Sequence, residues 1–263
     1  MKKGIDLSYH NGTIDMSEVK LSGIEFIILR LGYRKKENHI DKKFYENYNK
    51  AIQQGIPIGV YIYSYALNTN DALKEAQFVL DTVKDLKLEY PIYIDMEDAD
   101  NYKSQNKVNY STCIDICETF CNRIENAGYY VGIYANLDWL NNKINDSRLD
   151  KFDKWVAQWS NSCKYKKEFG MWQYSSNGNI SGIAGKVDLN YDLRDYPSII
   201  RNAKLNLLTE KNNIYVVQSG DTLTKIAKKF NTNWKEIYNL NKETIGDNPN
   251  FIQIGQKLIV EEE

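Results

Sequence analysis

The feature that most constrains the fold is an alternation of short apolar strands with amphipathic helical stretches, which continues to about residue 200. Eight strand candidates follow one another: GIDLS (4–8), IEFIILRLG (24–32), IPIGVYIYSY (56–65), YPIYIDME (90–97), YYVGIYAN (129–136), KWVAQWS (154–160), GMWQYSS (170–176) and KVDLN (186–190). Repeated strand–helix–strand units imply a parallel sheet. We therefore expect an α/β fold, a closed TIM-like (β/α) barrel with fewer or shorter helices in its second half. A doubly wound open sheet is the alternative.

Helices are predicted where the period of the apolar residues changes from two to 3.6. Asp41 is the expected N-cap of a helix that ends before Gly55, and Asn70 or Asp71 starts the next one. A third helix closes on Gly128 and carries Cys113, Cys117 and Cys121 on one stripe. Metal ligation is the other interpretation of these cysteines. With no histidine nearby in sequence and no CxxC pair, we expect structural thiols, no metal and no cofactor.

The pattern changes after residue 200. RNAKLNLLTEKN (201–212) is typical of a polar connector, and a compact unit follows with the predicted order strand (214–218), helix (222–230), helix (233–240) and strand (256–260). The sequence therefore predicts a first domain over 1–200, a linker over 201–212 and a small α+β domain over 213–260.

Composition and charge argue against nucleic acid and membranes as partners. The net charge of −1 favours neither nucleic acid nor an anionic membrane surface, and no apolar stretch approaches the length of a membrane span. The start MKKGIDLSYHNG reaches Asp6 before any apolar run that could serve in a signal peptide. We therefore expect synthesis in the cytoplasm and no membrane insertion. The oligomeric state stays open.

Carboxylates occur at matching places in three of the strand candidates. Because side chains alternate between the two faces of a strand, Asp95 and Glu97 lie opposite the apolar face of YPIYIDME. Asp6 in GIDLS and Asp188 in VDLN repeat this pattern. Any one of these aspartates could simply end its strand or cap a helix. Three at equivalent positions favour a shared site at the carboxyl ends of barrel strands.

Such a site favours glycoside hydrolysis, which needs a carboxylic acid that stays protonated near neutral pH. Glu97 has the longest reach and a neighbouring Asp95, so it is the natural proton donor. Asp95 could act as nucleophile, as general base or as the group that orients a 2-acetamido substituent. A divalent metal held by Asp6, Asp95 and Asp188 is a weaker alternative, since no phosphate-binding motif accompanies the acids.

At these residues the sequence resembles glycoside hydrolase family 25, the lysozyme-type muramidases. The resemblance spans about 1–197 and is carried by GIDLSYHNGTIDM, YIDMED, GIYAN, WVAQWS and MWQYSSNGNISGIAGKVDLNYD, among other segments. It implies an irregular β/α barrel that cleaves the β-1,4 bond between N-acetylmuramic acid and N-acetylglucosamine. It also implies that Asp6, Asp95, Glu97 and Asp188 are the catalytic carboxylates, with Glu97 as acid/base and Asp95 positioning the acetamido group.

The same resemblance points to further residues that contact substrate. Aromatic side chains at strand ends would line the sugar groove, although barrel packing is an alternative for most of them, and two polar residues would join them: Tyr61, Tyr63, Tyr134, Trp159, Trp172, Arg30 and Asn190. Two positions depart from the family pattern, because Ile62 stands where a histidine is common and Arg30 where a lysine is frequent.

The C-terminal unit resembles a LysM domain. YVVQSGDTLTKIAKKFN and NPNFIQIGQKLIV match its opening and closing segments, which implies a βααβ fold that binds N-acetylglucosamine-containing glycans. The binding groove would lie between two loops, with these residues: Gly220, Asp221, Thr222, Leu223, Asn248, Pro249, Asn250 and Ile252. Asp221 is also the expected N-cap of a helix that begins at Thr222.

Together the two resemblances imply a peptidoglycan hydrolase with a wall-binding anchor and peptidoglycan as its partner. A phage endolysin, stored in the cytoplasm and released through holin lesions, agrees with the start of the sequence. The alternatives are a bacterial autolysin of the same activity, a chitinase-like glycosidase, and a glycan-binding protein without turnover.

Overall fold

The computed structural model describes residues 1–208, 213–217, 219–230 and 232–260. The chain divides into two compact units, Met1–Leu207 and Leu208–Glu263. Within the described ranges, no helix is both long enough and apolar enough to cross a membrane.

The first unit is built on one sheet. Its strands are β1 (Lys3–Leu7), β2 (Phe26–Arg34), β3 (Asn38–Ile40), β4 (Ile58–Ser64), β5 (Ile92–Asp95), β6 (Val131–Asn136), β7 (Asp153–Ala157), β8 (Met171–Gly178) and β9 (Val187–Asp192). They follow the order β1-β9-β8-β7-β6-β5-β4-β2-β3, and a further pairing of β1 with β2 closes eight of them into a barrel. The predicted closed barrel is confirmed, and the open doubly wound sheet is excluded.

Strand β9 makes the barrel irregular. It pairs antiparallel with both β1 and β8, whereas the other neighbours in the barrel are parallel. The first residues of β9 therefore lie beside the last residues of β1, and Asp188 is the register partner of Asp6. The expectation that Asp188 ends a strand like the other acids is wrong. It stands at the second position of β9 and joins them because that strand runs the other way.

Six helices accompany the sheet: α1 (Met16–Leu21), α2 (Phe44–Gln53), α3 (Thr69–Val83), α4 (Tyr102–Gln105), α5 (Tyr110–Glu125) and α6 (Tyr196–Asn202). The side chain of Asn68, not Asn70 or Asp71, caps α3, and that of Asn109 caps α5. A π-helical turn, Trp139–Lys143, follows β6. The three cysteines of α5 are buried in the core, as expected for structural thiols.

The predicted N-cap role of Asp41 is wrong. Helix α2 starts later, at Phe44, and in the described part of the chain its N-cap residue, Lys43, makes no side-chain capping hydrogen bond. The Asp41 carboxylate instead accepts from the main-chain nitrogens of Lys43 and Tyr9, at 2.9 and 3.1 Å, and pairs with Arg30. The Asp41 carboxylate is thus held both by a buried ion pair with Arg30 on β2 and by main-chain nitrogens.

The barrel interior combines very large side chains with glycines. Phe26, Tyr93 and Trp155 are fully buried there. A Cβ atom at Gly4 would lie 2.3 Å from the ring of Phe26, and one at Gly132 would lie 2.5 Å from the ring of Tyr93. The glycines are therefore required by close packing, and the apolar outer faces of the strands pack against the helices.

Residues 201–207, which the sequence assigns to the linker, belong to the first unit. Asn206 is only 1% exposed, and its side-chain amide donates to the main-chain oxygens of Leu88 and Tyr90 at 2.9 and 3.1 Å. Its side-chain oxygen accepts from the main-chain nitrogen of Tyr130 at 2.8 Å. Asn206 is thus buried and hydrogen-bonded within the first unit, while Arg201, Asn202 and Lys204 of the same segment are exposed. Linker residues 209–212 lie outside the described residues.

The second unit contains β10 (Asn213–Val216), α7 (Leu223–Lys229), α8 (Trp234–Leu240), α9 (Lys242–Ile245) and β11 (Lys257–Val260). Strands β10 and β11 pair antiparallel around a small core that includes Ile226, Ile237 and Leu258. This is the predicted strand–helix–helix–strand order with one additional short helix. Gln218, at the end of the first predicted strand, lies outside the described residues.

Candidate active site

The four predicted catalytic carboxylates meet at one end of the barrel. Strands β1 and β5 end there and β9 begins there, which brings Asp6, Asp95 and Asp188 together. Glu97 follows two residues after β5. The acids are close enough to raise one another's pKa: Asp188 raises that of Asp6 and of Glu97, and Glu97 raises that of Asp95.

Asp6 lies in a polar pocket inside the barrel. Its Oδ2 atom accepts from Nδ2 of Asn190 at 2.8 Å and from Nε2 of Gln173 at 3.0 Å. Burial and the neighbouring charge of Asp188 raise the pKa of Asp6 to about 8, although the two amides lower it. Asp6 therefore retains a proton at higher pH than an ordinary aspartate does.

Asp95 has an unmet hydrogen-bonding capacity. It is buried, and its Oδ1 atom has no hydrogen-bond partner in the described part of the chain. Burial and the charge of Glu97 raise the pKa of Asp95 well above the usual range of a carboxyl group. A buried acceptor without a donor is costly to a folded protein, so this oxygen is suited to a donor that a ligand would bring.

Glu97 is half-buried at the barrel mouth. Burial raises its pKa above the usual value, against the opposing charge of Lys103, and Asp100 and Asp188 raise it further. A glutamic acid in this environment retains its proton closer to neutral pH and can donate it to a leaving group.

Asp98, the last acid of the YIDMED segment, has a structural position instead. Its carboxylate accepts from the main-chain nitrogens of Lys103 and Ser104, at 2.7 and 2.9 Å, and from the Ser104 hydroxyl at 2.5 Å. It therefore closes the loop between β5 and α4 and holds the chain that carries Glu97.

Gln173 is the site residue that sequence reasoning missed. Besides its contact with Asp6, its Oε1 atom accepts from the Tyr134 hydroxyl and from Nε1 of Trp159, both at 3.1 Å. A polar residue at a buried position of the alternating strand MWQYSS was the available indication. The sequence pattern alone could not show that its partners come from three different strands or strand ends.

Three of the predicted tyrosines face the acids. Tyr61, Tyr63 and Tyr134 lie on the inner face of the barrel, and the charges of the acids contribute to raising the pKa of each hydroxyl, after burial. Trp159 is 64% exposed at the rim. Asn190, also predicted, is buried and accepts from Nε1 of Trp155 at 2.8 Å while it donates to Asp6.

Arg30 joins the same end of the barrel through Asp41. Its Nη2 and Nε atoms lie 2.7 and 2.8 Å from Oδ2 of Asp41, and its guanidinium carbon lies 4.8 Å from the ring centre of Tyr9. The pair fixes the guanidinium beside Tyr61, with which it interacts electrostatically.

Trp172 is not brought to the acids. It stands next to Gln173 on β8, so its side chain lies on the opposite face of the strand. There it packs against Tyr174 and Tyr191, and its Nε1 atom donates to the main-chain oxygen of Gln158 at 2.8 Å. The predicted contact with a sugar groove therefore has no support in its position.

The predicted glycan-binding residues of the second unit lie in two loops. Main-chain hydrogen bonds from Val217 to Gln256 and from Gly255 to Val217, both 2.9 Å, place the ends of these loops side by side. In the second loop the side chain of Asn248 accepts from the Asn250 nitrogen at 3.0 Å, while Pro249 and Ile252 are half-buried beside it.

In the first loop two expectations change. Helix α7 begins at Leu223, and Thr222 rather than Asp221 is its N-cap, with Oγ1 accepting from the Lys225 nitrogen at 3.2 Å. Asp221 instead accepts from the Tyr215 hydroxyl at 2.6 Å. Leu223 is buried in the core, so only its main chain is available to a ligand. Gly220 has a positive φ of 81°, which a tight turn before the helix requires.

Across the described residues, no group of three or more His, Cys, Asp or Glu side chains is arranged to hold a metal ion. The four acids form two interacting pairs, Asp6 with Asp188 and Asp95 with Glu97, and the pKa of each acid is raised above its usual value, first of all by burial. The arrangement is suited to acid–base chemistry on a polar substrate.

The amino-acid sequence is similar to that of a lysozyme and, over a shorter stretch, to that of an endolysin. The autolytic lysozyme of Clostridium acetobutylicum is 27% identical over 193 residues, which cover 72% of this chain and 55% of that protein. The endolysin of Bacillus phage B103 is 50% identical over 52 residues, 20% of this chain and 19% of that protein.

Among solved structures, the modular autolysin LytC of Streptococcus pneumoniae in complex with a synthetic peptidoglycan ligand superposes with a TM-score of 0.64 and 32% identity. The match covers 72% of this chain and 46% of LytC. The chain thus spans about half the length of LytC and of the clostridial lysozyme.

Two family models match the chain, one for each unit. The LysM domain model matches residues 215–261. The model of glycosyl hydrolases family 25 matches residues 5–183, the region that contains all of the barrel strands except β9 and the first residues of β1. On this match, together with the closed barrel and its cluster of acids, the chain belongs to glycosyl hydrolases family 25.

Proposed function

We propose that the protein is a peptidoglycan hydrolase that cleaves the β-1,4 bond between N-acetylmuramic acid and N-acetylglucosamine. The observation that carries the proposal is the buried Oδ1 atom of Asp95, which has no hydrogen-bond partner among the described residues and lies beside Glu97, whose pKa is raised. Sugars of the bacterial wall carry a 2-acetamido group with one N–H donor next to the scissile bond. That donor is what Asp95 lacks.

In this mechanism Glu97 donates its proton to the glycosidic oxygen while the bond from that oxygen to C1 breaks. The oxygen of the substrate's acetamido group attacks C1, and the N–H of the same group donates a hydrogen bond to Asp95. The developing positive charge on the resulting ring is stabilised by the ionised Asp95 carboxylate. Water, deprotonated by Glu97, then opens the ring and releases the new reducing end.

Substrate binding would also place the proton correctly. Asp95 and Glu97 are coupled, so a single proton on the pair can sit on either carboxyl group. An N–H donor on Asp95 stabilises its charged form and moves the proton to Glu97. Burial raises the pKa of Glu97, and the charges of Asp100 and Asp188 raise it further, which favours the protonated form of this carboxyl group.

The second unit supports the proposal through its LysM match. A wall-binding module tethered to the barrel would keep the enzyme near an insoluble substrate and raise the local concentration of glycan strands. We assign the glycan contacts to the two loops at the shared ends of β10 and β11, which include Gly220, Asn248 and Asn250.

We further propose that the protein acts as a phage endolysin, with a bacterial autolysin as the alternative. The support is the 50% identity with the phage B103 endolysin over 52 residues, against the longer match to the clostridial autolytic lysozyme, which is 27% identical over 193 residues. Expression in a Gram-positive host should leave cells intact until a holin is co-expressed. Lysis without the holin would favour the autolysin.

The activity is tested by mass spectrometry of muropeptides released from purified walls and reduced with borohydride. New reducing ends on N-acetylmuramic acid are expected, and Glu97→Gln should abolish them while wall binding remains. Reducing ends on N-acetylglucosamine would overturn the muramidase assignment. Efficient cleavage of walls lacking the muramyl N-acetyl group would overturn the acetamido route in favour of a nucleophilic carboxylate.

A further inference from the structure

Lys103 is a buried cation directly behind the active-site loop. Only 2% of its surface is exposed, although it lies on the short helix α4 at the barrel mouth. Its Nζ atom donates to the main-chain oxygen of Glu97 at 3.1 Å and to that of Ser64, the last residue of β4. The side chain therefore ties the main chain of Glu97 to the end of the neighbouring strand.

A lysine ammonium gives up its hydration on burial, so such a residue needs acceptors and opposing charge. Carboxyl groups from different elements supply this charge around Lys103: Glu75 on α3, Asp95 at the end of β5, and Glu97 beyond it. The ammonium lowers the pKa of each of the three, in opposition to burial, which raises them.

Glu75 is the member of this group that the reaction does not use. It is fully buried, and it accepts from the Ser64 hydroxyl and from the Tyr65 nitrogen, both at 2.8 Å. Burial raises its pKa to about 7. A chain of contacts thus runs from an outer helix, through the end of β4 and Lys103, to the main chain of Glu97.

We propose that Lys103 is a positioning residue of the reaction: it holds Glu97 in place through its main-chain oxygen, and it places one positive charge among the carboxyl groups of Glu75, Asp95 and Glu97. The proposal rests on the proposed role of Glu97 as proton donor. The effect of the Lys103 charge on Glu75 is part of the proposal as well, and it can be measured without any enzymatic activity.

The groups that face these carboxyl groups define what the test must separate. Besides Lys103 and one another, they face charged and titratable side chains from the neighbouring strands and loops: Asp6, Arg30, Tyr63, Asp71, Asp100, Tyr134 and Asp188. None of these residues is changed in a Lys103 variant. A shift in the titration midpoint of Glu75 or Glu97 in that variant therefore measures the effect of the lysine charge.

The first measurement is a titration of the full-length protein labelled with carboxyl-¹³C glutamate and observed by NMR. The Glu75 resonance is assigned by its loss in Glu75→Gln, and that of Glu97 by its loss in Glu97→Gln. In Lys103→Gln, whose amide can still donate to a main-chain oxygen, both midpoints should rise by about one pH unit, because a nearby opposite charge is gone. Lys103→Arg, which retains the charge, should leave them close to the wild-type values.

The second measurement is the pH profile of kcat/KM on solubilised peptidoglycan. Loss of the lysine charge should move both the acidic and the basic limb of the profile to higher pH, because Asp95 and Glu97 would both lose their protons at higher pH. A loss of packing alone would lower kcat/KM at every pH without moving the limbs. Lys143→Met is the matched control. Lys103 and Lys143 both line a small cavity beside α4, but Lys143 pairs with Asp138 at 3.1 Å. Removal of the Lys143 charge should therefore move neither limb of the pH profile.

Unchanged NMR midpoints in Lys103→Gln would overturn the proposal, whatever the activity. Equal shifts in Lys103→Arg and Lys103→Gln would overturn it too, because the charge would then be irrelevant. If Lys103→Gln does not fold, Lys103→Met takes its place in both measurements. An inactive wild-type enzyme with shifted Glu75 and Glu97 midpoints in the variant would refute the proposed function but not the electrostatic role of Lys103.

Discussion

Buried carboxyl groups with raised pKa values dominate this end of the barrel at the scale of single residues. The pKa is about 8 for Asp6 and about 7 for Glu75, mainly because both are buried. A carboxyl group with a higher pKa in the folded state contributes stability that is complete below the unfolded pKa. This contribution is lost as the pH rises through the folded pKa. The buried carboxyl groups at this end of the barrel should therefore make the fold less stable as the pH rises from mildly acidic to mildly basic values.

Glu75→Gln should remove one part of this pH dependence. The pKa of Glu75 rises from 4.5 to about 7 on folding, so the wild type should lose on the order of 3 kcal/mol of unfolding free energy, relative to the variant, between pH 4.5 and pH 8. Urea unfolding at a series of pH values measures this difference. The exposed Glu37, replaced by Gln, serves as control. The same pH dependence in wild type and Glu75→Gln would contradict the assignment.

At the scale of elements, the loop between β5 and α4 explains why a core strand is followed by a run of acids. Asp95 ends the strand, Glu97 lies at the barrel mouth, and Asp98 turns back to accept hydrogen bonds from the main-chain nitrogens of Lys103 and Ser104 in α4. That turn in the chain is what lets Lys103 reach the main chain of Glu97. Three acids within four residues thus have three different positions and environments.

Asp98→Ala should separate local stability from catalysis. Loss of a helix cap costs about 1 kcal/mol, and a loosened Glu97 should lower kcat on solubilised peptidoglycan by on the order of tenfold or more. Asp15→Ala is a matched control, since Asp15 caps α1 with bonds of 3.1 and 3.2 Å to the nitrogens of Ser17 and Glu18. Similar kcat losses in both variants would show that the Asp98 loop has no special role.

At the scale of the whole molecule, the first unit ends later than its composition suggests. Asn206 has a positive φ of 57° and makes three side-chain hydrogen bonds within the first unit, to the main chain of Leu88, Tyr90 and Tyr130. Asparagine tolerates this backbone conformation better than most residues. The segment after α6 therefore contributes to the barrel, and a truncation at residue 200 would remove it.

Asn206→Ala should lower the unfolding free energy of the first unit by about 2 to 4 kcal/mol, because it leaves buried main-chain groups without partners and strains the backbone. Asn206→Gly keeps the backbone conformation accessible and loses only the side-chain bonds, so it should be less destabilising. Urea unfolding monitored by tryptophan fluorescence measures both. A neutral Asn206→Ala would show that the segment is not part of the folded unit.

Removal of the second unit should affect binding to walls more than chemistry. A chain that ends at Leu208 should hydrolyse soluble muropeptide oligomers at the wild-type rate. Its binding to insoluble walls should fall by about 10²-fold, as expected when a tethered binding site is lost. A pull-down with purified walls and a turnover assay on soluble oligomers measure the two effects. Equal wall binding with and without the second unit would refute its role as an anchor.

Local periodicity was enough to predict the strands, the α/β class and the acids on one face, while it left a doubly wound open sheet as an alternative to the closed barrel. These properties depend on short-range rules: side chains alternate along a strand, and apolar faces must be buried. The strand–helix–helix–strand order of the second unit followed from the same rules and is observed. Short-range rules also placed Asp6 and Asp95 on the inner face of their strands, with Glu97 two residues beyond the end of β5.

Only the tertiary structure decided how these pieces meet. The antiparallel direction of β9 brings Asp188 to Asp6, and long-range bonds join Gln173 to Asp6 and Asn206 to the barrel. Trp172 lies outside because its neighbour Gln173 faces inward. A buried polar side chain is specified by partners far away in sequence, since burial without a hydrogen bond is costly. No local pattern identifies those partners.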